Sequence, residues 1–464
     1  MMMVTNNRAA GKLWEDLNFQ FQKKMKGGVF LDEKMRQEIL NAYEFRKQWP
    51  PYTYREYFDV TPELLNDFTE FLKTENTSKK KKELQPWVTF CDSRCSFCYY
   101  PSTMFRSEFV DPYLVALKKE LKMYSETKYV KTSEFDEIVL GGGTPTVLSA
   151  EQLIDIISFC EKNFNISSDY MIKITGSTHN LNEYKLKKFA EYGVLQLDVG
   201  VQTFNDDIRR KLFIQDSGEH AEQIIRKARQ LGLYVCIDLM YNLPGQTIEI
   251  WREDIKKAIE LDLEGVDCYP LEVYPGTLLE KQLKNGELPP PGDWKTEALM
   301  YVEAVEMFTK AGYIPVGHDR FTRVREHVEE SCLNGWPWAG ILTTGAGCFM
   351  GYLGCYSYQN TENVHEYLEK VGRGIFPIAK MYKSNDEDMI KKVMERLYLR
   401  LPVDKKEFRE KFGKLPEEVF PEAIKRLKEK GLIEVDDDAI RITKLGDIWR
   451  INIAWEFANA KAVY

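Results

Sequence analysis

Apolar and polar positions alternate in two rhythms through the middle of the chain. Short apolar runs at Trp87–Phe90, Phe135–Leu140, Tyr170–Thr175, Leu195–Val201, Leu233–Met240 and Gly265–Leu271 predict strands. Longer segments lie between them, at Asp111–Glu126, Ala150–Asn163, Leu181–Tyr192, Glu219–Leu231 and Ile248–Leu261, and predict helices. In the second and fifth of these, apolar residues recur three or four apart. A strand followed each time by a helix predicts a parallel sheet, because parallel neighbours need a long crossover. Six such units predict an α/β fold, a partial (β/α)6 barrel of TIM type, with an open doubly wound sheet as the alternative.

The flanks read differently. Residues 1–85 are expected to form an N-terminal helical extension, with amphipathic stretches at Lys34–Arg46 and Pro62–Leu72 around an irregular Trp49–Tyr54 segment. It closes on the lysine run Lys79–Lys82, expected to be a solvated boundary before a barrel at 86–380. In the last unit, 381–464, helical stretches at Glu387–Leu399, Lys405–Phe412 and Pro416–Lys430 lead to strands Leu432–Val435 and Ile440–Thr443 across an Asp436-Asp437-Asp438 turn. Three helices and a hairpin outline a winged-helix-like domain. No basic stripe marks its third helix, so a structural or substrate-covering role is expected rather than DNA binding.

Composition narrows the class. With 25 Tyr, 25 Phe and 9 Trp in 464 residues, the chain can bury far more surface than a disordered scaffold. Its 72 acidic against 64 basic residues, net charge −8, argue against a protein built to grip nucleic acid. No membrane span and no secretory signal are visible, so a cytoplasmic protein is expected. Nine cysteines in such a chain read as thiols rather than as a disulfide framework.

Three of those thiols, Cys91, Cys95 and Cys98, sit on one loop directly after the first strand. Spaced three and two residues apart, they can converge on one metal centre. A zinc knuckle would need a fourth ligand. A cubane iron–sulfur cluster with one open iron needs only three.

This loop, with Phe97 before the third Cys, resembles that of the radical S-adenosylmethionine (SAM) enzymes. Further motifs close the later strands in order: Gly141-Gly142-Gly143-Thr144-Pro145-Thr146, Val199–Phe204, Ile237–Thr247 and Tyr269–Thr277. Together, over roughly residues 86–315, they are similar to the oxygen-independent coproporphyrinogen III oxidase-like (HemN-like) family, including its class C methyltransferase branch. The resemblance implies a radical SAM barrel whose Cys91, Cys95 and Cys98 hold a [4Fe–4S] cluster. It also implies SAM contacts from Gly141, Gly142, Gly143 and Thr144, from Thr175 at the exit of the third strand, from Gln202 and Asp238 near the ribose, and from Phe97 against the adenine. All these motifs fall at strand C-termini, the mouth of a parallel barrel. A tight turn that merely needs glycine is the alternative reading of Gly141–Gly143.

Two positions depart from the family. Its Glu after the third strand is replaced by the stretch Thr175-Gly176-Ser177-Thr178, and its Arg about a dozen residues after Gln202 by Ile214. Losing an acid and a base together removes a matched pair of strong contacts to SAM. Arg209 or Arg210 is a candidate replacement cation, with solvated helix charges as the alternative.

Residues 331–361 contain no Asp, Glu, Lys or Arg and six glycines, and are expected to be a wall of the substrate pocket or plain core. Their Gly345-Ala346-Gly347-Cys348 core resembles the family's Gly-x-Gly-Ala stretch. Cys348 is a candidate hydrogen donor, or core packing. Pro50-Pro51-Tyr52-Thr53-Tyr54 resembles the family's Pro-Arg-Tyr-Thr-Ser-Tyr segment without its Arg, which makes Tyr52 a candidate substrate contact or part of a packing knot. His318 is a candidate substrate contact, and a satisfied surface histidine is the alternative for it and for His179.

The resemblance implies one-electron cleavage of SAM to a 5′-deoxyadenosyl radical, with a reductant such as flavodoxin or ferredoxin. The expected substrate is a planar aromatic or tetrapyrrole. Methyl transfer to an sp2 carbon, using a possible second SAM, ranks first because a charge-free wall suits a neutral aromatic better than a tetra-anionic porphyrinogen. Coproporphyrinogen-type oxidative decarboxylation ranks second and a non-catalytic haem chaperone third.

Overall fold

The computed structural model describes residues 41–47, 51, 58–78, 80, 82–324, 327, 340–349 and 351–462. Helix α1 (Pro62–Phe71) precedes six parallel strands: β1 (Lys82–Val88), β2 (Phe135–Gly142), β3 (Ile166–Ser177), β4 (Gln196–Gln202), β5 (Tyr234–Tyr241) and β6 (Gly265–Pro270). Between them run α2 (Ser107–Ser125), α3 (Ala150–Asn163), α4 (Glu183–Tyr192), α5 (Gly218–Gln230) and α6 (Ile248–Glu260). The expected units are therefore present in the expected order. Helix α3 starts where its periodicity starts because Ser149 and Gln152 form a reciprocal capping box. Asn182 caps α4 and shortens its start by two residues from the expected Leu181.

The sheet continues beyond the six strands. Strands β7 (Ile314–Val316), β8 (Arg320–Thr322), β9 (Gly340–Thr344), β10 (Gly351–Leu353), β11 (Tyr356–Asn360) and β12 (Ile378–Lys383) extend it on both sides. The order is Phe58–Asp59, β12, β11, β10, β9, β1, β2, β3, β4, β5, β6, β8, β7. Its two ends are not paired with each other, so the barrel is partial. Strand β9 runs parallel to β1, and β10 to β12 return antiparallel. The charge-free stretch 331–361 thus contributes strands and their turns over its described part.

Alternation along each strand separates two faces. Leu197, Val199, Val201, Val235, Ile237, Leu239 and Val266 are buried in the main core with the helices. The opposite face is polar and fills the lumen. Lys173 Nζ meets Glu137 Oε2 at 2.9 Å, both fully enclosed. Arg320 holds Asp267 through two bonds of 2.8 and 2.7 Å and lies 3.7 Å from Asp198.

Four local expectations are corrected. Residues 41–46 are turns and bends instead of the end of a Lys34–Arg46 helix. Arg46 is drawn into a buried network, donating to Tyr241 Oη (3.1 Å), Glu297 Oε1 (2.8 Å) and Ile448 O (3.1 Å), and these bonds outweigh local helix propensity. Lys82 is not solvated: it opens β1, and its ammonium donates to Ser78 O and Lys80 O at 3.1 and 2.6 Å. The Pro416–Lys430 stretch is two helices, Pro416–Val419 and Pro421–Glu429, because Phe420 before Pro421 leaves helical geometry. The Glu387–Leu399 stretch tightens into a 3₁₀ turn over Arg396–Leu399.

The expected hairpin after these helices forms from Ile433–Val435 and Ala439–Ile442, and a short strand Val403–Asp404 completes a three-stranded sheet. Two further helices, Lys444–Ile448 and Arg450–Asn459, carry the chain back to the barrel. There Arg450 donates to His318 O and to Asp319 Oδ1 at 2.6 and 2.8 Å.

Candidate functional site

The thiol loop leaves β1 through a short strand Phe90–Cys91 paired with Thr103–Met104. Its middle is pinned from both sides, since Ser96 N donates to Leu212 O (3.0 Å) and Leu279 N to Ser96 O (2.8 Å). Phe97 and Ile214 both pack on the apolar cluster of Ile208, Leu212, Leu243, Leu271, Leu279 and Leu288. The position where the family's Arg is missing is therefore apolar and shares a cluster with Phe97.

The triple glycine runs directly beneath this loop. A Cβ on Gly142 would lie 2.2 Å from Val88 O, and one on Gly143 would lie 2.7 Å from Phe90 O and 2.8 Å from Cys91 Sγ. Only Gly141 has room, with its nearest neighbour, Gln85 Nε2, at 3.4 Å. Two of the three glycines are thus demanded by close approach to the thiol strand. Gly143 N and Thr144 N donate to Val88 O and Phe90 O, both at 2.8 Å, and Thr144 Oγ1 sits 3.3 Å from Cys91 Sγ.

Burial raises all three thiols above the usual range, Cys95 to about 12, with the neighbouring thiols adding to its shift. Binding iron must displace those protons. Among the described residues, no three His, Cys, Asp or Glu side chains converge as a mononuclear metal site requires. A cubane does not demand that convergence, because each thiolate binds a different iron. The donor set, the glycine cradle and the Thr144 hydroxyl beside Cys91 fit such a cluster.

Gln202 closes β4 at φ 63°, a conformation unusual for a side-chain-bearing residue, and its amide folds back over Gly200, where a Cβ would lie 2.9 Å from Nε2. Asp254 supports this exit by accepting from Phe204 N (2.7 Å) and Thr203 Oγ1 (2.8 Å). Asp238 shares the lumen with Asp198, Asp267 and Arg320. Burial, then Asp267 and Asp198, push its carboxyl well above the usual range, and Arg320 only partly opposes them.

Several candidates fall elsewhere. The Thr175 hydroxyl is engaged with the sheet, donating to Leu140 O at 3.1 Å. Arg209 is not a solvated helix charge: it is buried, donating to Val201 O, Thr203 O and Asp216 O at 2.7, 2.9 and 2.7 Å. Arg210 is exposed and pairs with Asp207. Cys348 is fully buried near Glu120, on the core side, with its thiol raised by burial. His318 pairs with Asp319 and lies edge-on to Tyr398, under the C-terminal unit. Tyr52 lies outside the described residues.

Sequence reasoning missed two features. One is an aromatic wall beside Cys98: Trp87, Phe349, Tyr100, Tyr99 and Tyr274 follow one another with ring centroids 5.3, 5.2, 5.0 and 3.8 Å apart. Tyr99 and Tyr100 were visible as the residues after Cys98, but Phe349 and Tyr274, which extend the wall on either side, lie far away in sequence. The other is a polar chain from Ser177 through His179 to Asp92.

A thiol loop at the mouth of a partial barrel, with glycines under it and a polar lumen below, defines a radical SAM protein. Residues 86–258 match the Radical SAM superfamily and residues 384–448 the HemN C-terminal domain. The chain is 30% identical over 367 residues to the haem chaperone HemW of Bacillus subtilis (strain 168), covering 78% of this chain and 95% of that one. It is 26% identical over 409 residues to anaerobilin synthase of Escherichia coli O157:H7, covering 85% and 87%. The solved structure of coproporphyrinogen III oxidase (HemN) from Escherichia coli superposes with a TM-score of 0.77 at 22% identity, over 89% of this chain and 97% of that one, which shows the shared fold. The chain belongs to the HemN-like radical SAM family. Membership implies a [4Fe–4S] cluster and SAM. Among the described residues, no helix is long and apolar enough to cross a membrane.

Proposed function

We propose that this protein is a radical SAM enzyme acting on a planar tetrapyrrole or related aromatic, and that it transfers a SAM-derived carbon to an sp2 ring carbon. The observation that carries this reading is the aromatic wall from Trp87 to Tyr274, whose rings are uncharged and continue from the thiol loop. Flat apolar faces of that kind recognise a flat apolar ligand. When bound, the cluster and SAM supply one-electron cleavage and hydrogen-atom abstraction. The chain orients them: Phe97 and Ile214 offer an apolar face, and Gln202 and Asp238 offer polar contacts from adjacent strands.

A second reading, haem carriage without catalysis, is favoured by the 30% identity to a haem chaperone. Anaerobic incubation with haem and, in parallel, with coproporphyrinogen III, each with a flavodoxin or ferredoxin reductant and SAM bearing a CD3 group, separates the readings. Deuterium in the product supports carbon transfer. Loss of CO2 without label indicates the coproporphyrinogen-type reaction, and stoichiometric binding of unchanged haem indicates carriage.

A further inference from the structure

Between the triple-glycine loop and Gln202, the exit of β3 carries polar groups that the motifs leave unassigned. Register pairs Thr175 with Asp198 and Ser177 with Gly200, so Ser177 lies on the lumen face one pleat nearer the mouth than Thr175. Gly200 is the residue over which the Gln202 amide folds, which puts Ser177 in the neighbouring strand at that level. Ser177 N donates to Thr146 Oγ1 at 3.1 Å, tying this exit to the loop after the glycines.

The hydroxyl is oriented from behind. Ser177 Oγ lies 2.7 Å from His179 Nδ1, and His179 Nε2 lies 3.0 and 3.1 Å from the two Asp92 oxygens. Asn180 Nδ2 also donates to Asp92 at 2.7 Å. A carboxylate only accepts, so Nε2 carries hydrogen, and in the neutral ring Nδ1 is left as an acceptor. The Ser177 O–H then points at Nδ1 and its lone pairs face away. A hydroxyl so fixed suits a ligand that brings donors.

From this geometry we infer that Ser177 Oγ contacts the ammonium of the SAM methionine, with His179 as its positioning residue. The inference rests on the radical SAM reading above and deepens it at one site. Thr175 is unsuited to the same task because its hydroxyl is spent on Leu140 O. Asp92 follows Cys91 in the chain, so the same hydrogen bonds hold the ammonium contact and the thiol loop in one register.

The test uses full-length protein reconstituted with iron and sulfide, and reads the SAM dissociation constant and the change that SAM causes in the electron paramagnetic resonance spectrum of the reduced cluster. Ser177→Ala is expected to weaken SAM about tenfold at unchanged iron content, the loss typical of one charge-assisted hydrogen bond. It should leave the affinity for a SAM analogue lacking the amino group nearly unchanged, because that contact is already absent. His179→Phe should match Ser177→Ala, and His179→Gln should restore affinity, since an amide can accept from Ser177 and donate to Asp92. Equal losses for SAM and the deaminated analogue, or no loss for either, overturn the contact. Iron loss in His179→Phe with SAM binding intact in Ser177→Ala also overturns it, and makes the chain of bonds a brace for the loop. Wild-type protein that takes up iron yet ignores SAM overturns both this inference and the functional reading.

Discussion

Glu120 fastens the turn behind the aromatic wall to the barrel, and its substitution has a calculable signature. It is fully buried on α2 and accepts from Gly345 N, Asn360 Nδ2 and Tyr367 Oη, each at 2.8 Å. Among the described residues no cation touches it. Burial outweighs the three hydrogen bonds and raises the carboxyl from 4.5 to about 7. The folded state therefore holds this proton over a range where the unfolded state has released it. Stability from this group is fully present below about pH 4.5, falls as pH rises to about 7 and is flat beyond. The shift amounts to ~3 kcal/mol at 1.36 kcal/mol per unit. Glu120→Gln resembles the protonated acid in shape and does not titrate. Denaturant unfolding of wild type and variant in parallel, from about pH 4 to pH 8, cancels every other titrating group. The two should be nearly equal in stability at the acid end, within about 1 kcal/mol, and the variant should gain ~3 kcal/mol on wild type by pH 7. A difference that stays flat across the window would refute the reasoning, and would mean that three hydrogen bonds fully offset the burial of an anion.

Three further outcomes are expected. Cys98→Ala should keep the fold by circular dichroism but lose cluster iron and SAM cleavage, because two thiolates cannot hold a cubane with an open iron; full 5′-deoxyadenosine production would disprove the ligand assignment. Gly143→Ala should cost ~1–3 kcal/mol and lower iron per chain, since its Cβ would meet Phe90 O at 2.7 Å and Cys91 Sγ at 2.8 Å. Gly141→Ala, whose nearest neighbour is a flexible amide at 3.4 Å, should be close to wild type in both. Arg450→Ala should cost about 3 kcal/mol in thermal or denaturant unfolding, because it removes the guanidinium that meets buried Asp319 at 2.8 Å and leaves that carboxylate paired, among the described residues, with His318 alone.

Much of the barrel was legible in the chain because periodicity is a local property. The run Leu195-Gln196-Leu197-Asp198-Val199-Gly200-Val201 alternates with period two, and its Leu197, Val199 and Val201 are buried in the main core. Helix α3 carries its own start signal in Ser149 and Gln152. The thiol loop was legible too, since three of the nine cysteines fall within eight residues. Other features depend on partners far apart in sequence. Arg46 leaves its helical pattern for Glu297 and Ile448, more than 250 residues away, and no local pattern encodes that bond. Arg209 reads as a surface charge until the exit of β4 turns its carbonyls toward it.

The strands at 340–383 escaped notice because pairing across a sheet edge is a question of register, and Gly- and Tyr-rich segments carry weak alternation. Cys348 and Phe349, adjacent in the chain, part company in the same way. The thiol goes to the core near Glu120 and the ring to the wall beside Trp87 and Tyr100. The sequence by itself determined the kind of centre these thiols suit, because their identity and spacing are covalent facts. Which glycines press on the thiol strand, which charges fill the lumen and which rings line the mouth were decided only when the strands took their register, since each depends on distances between groups that the chain does not connect locally.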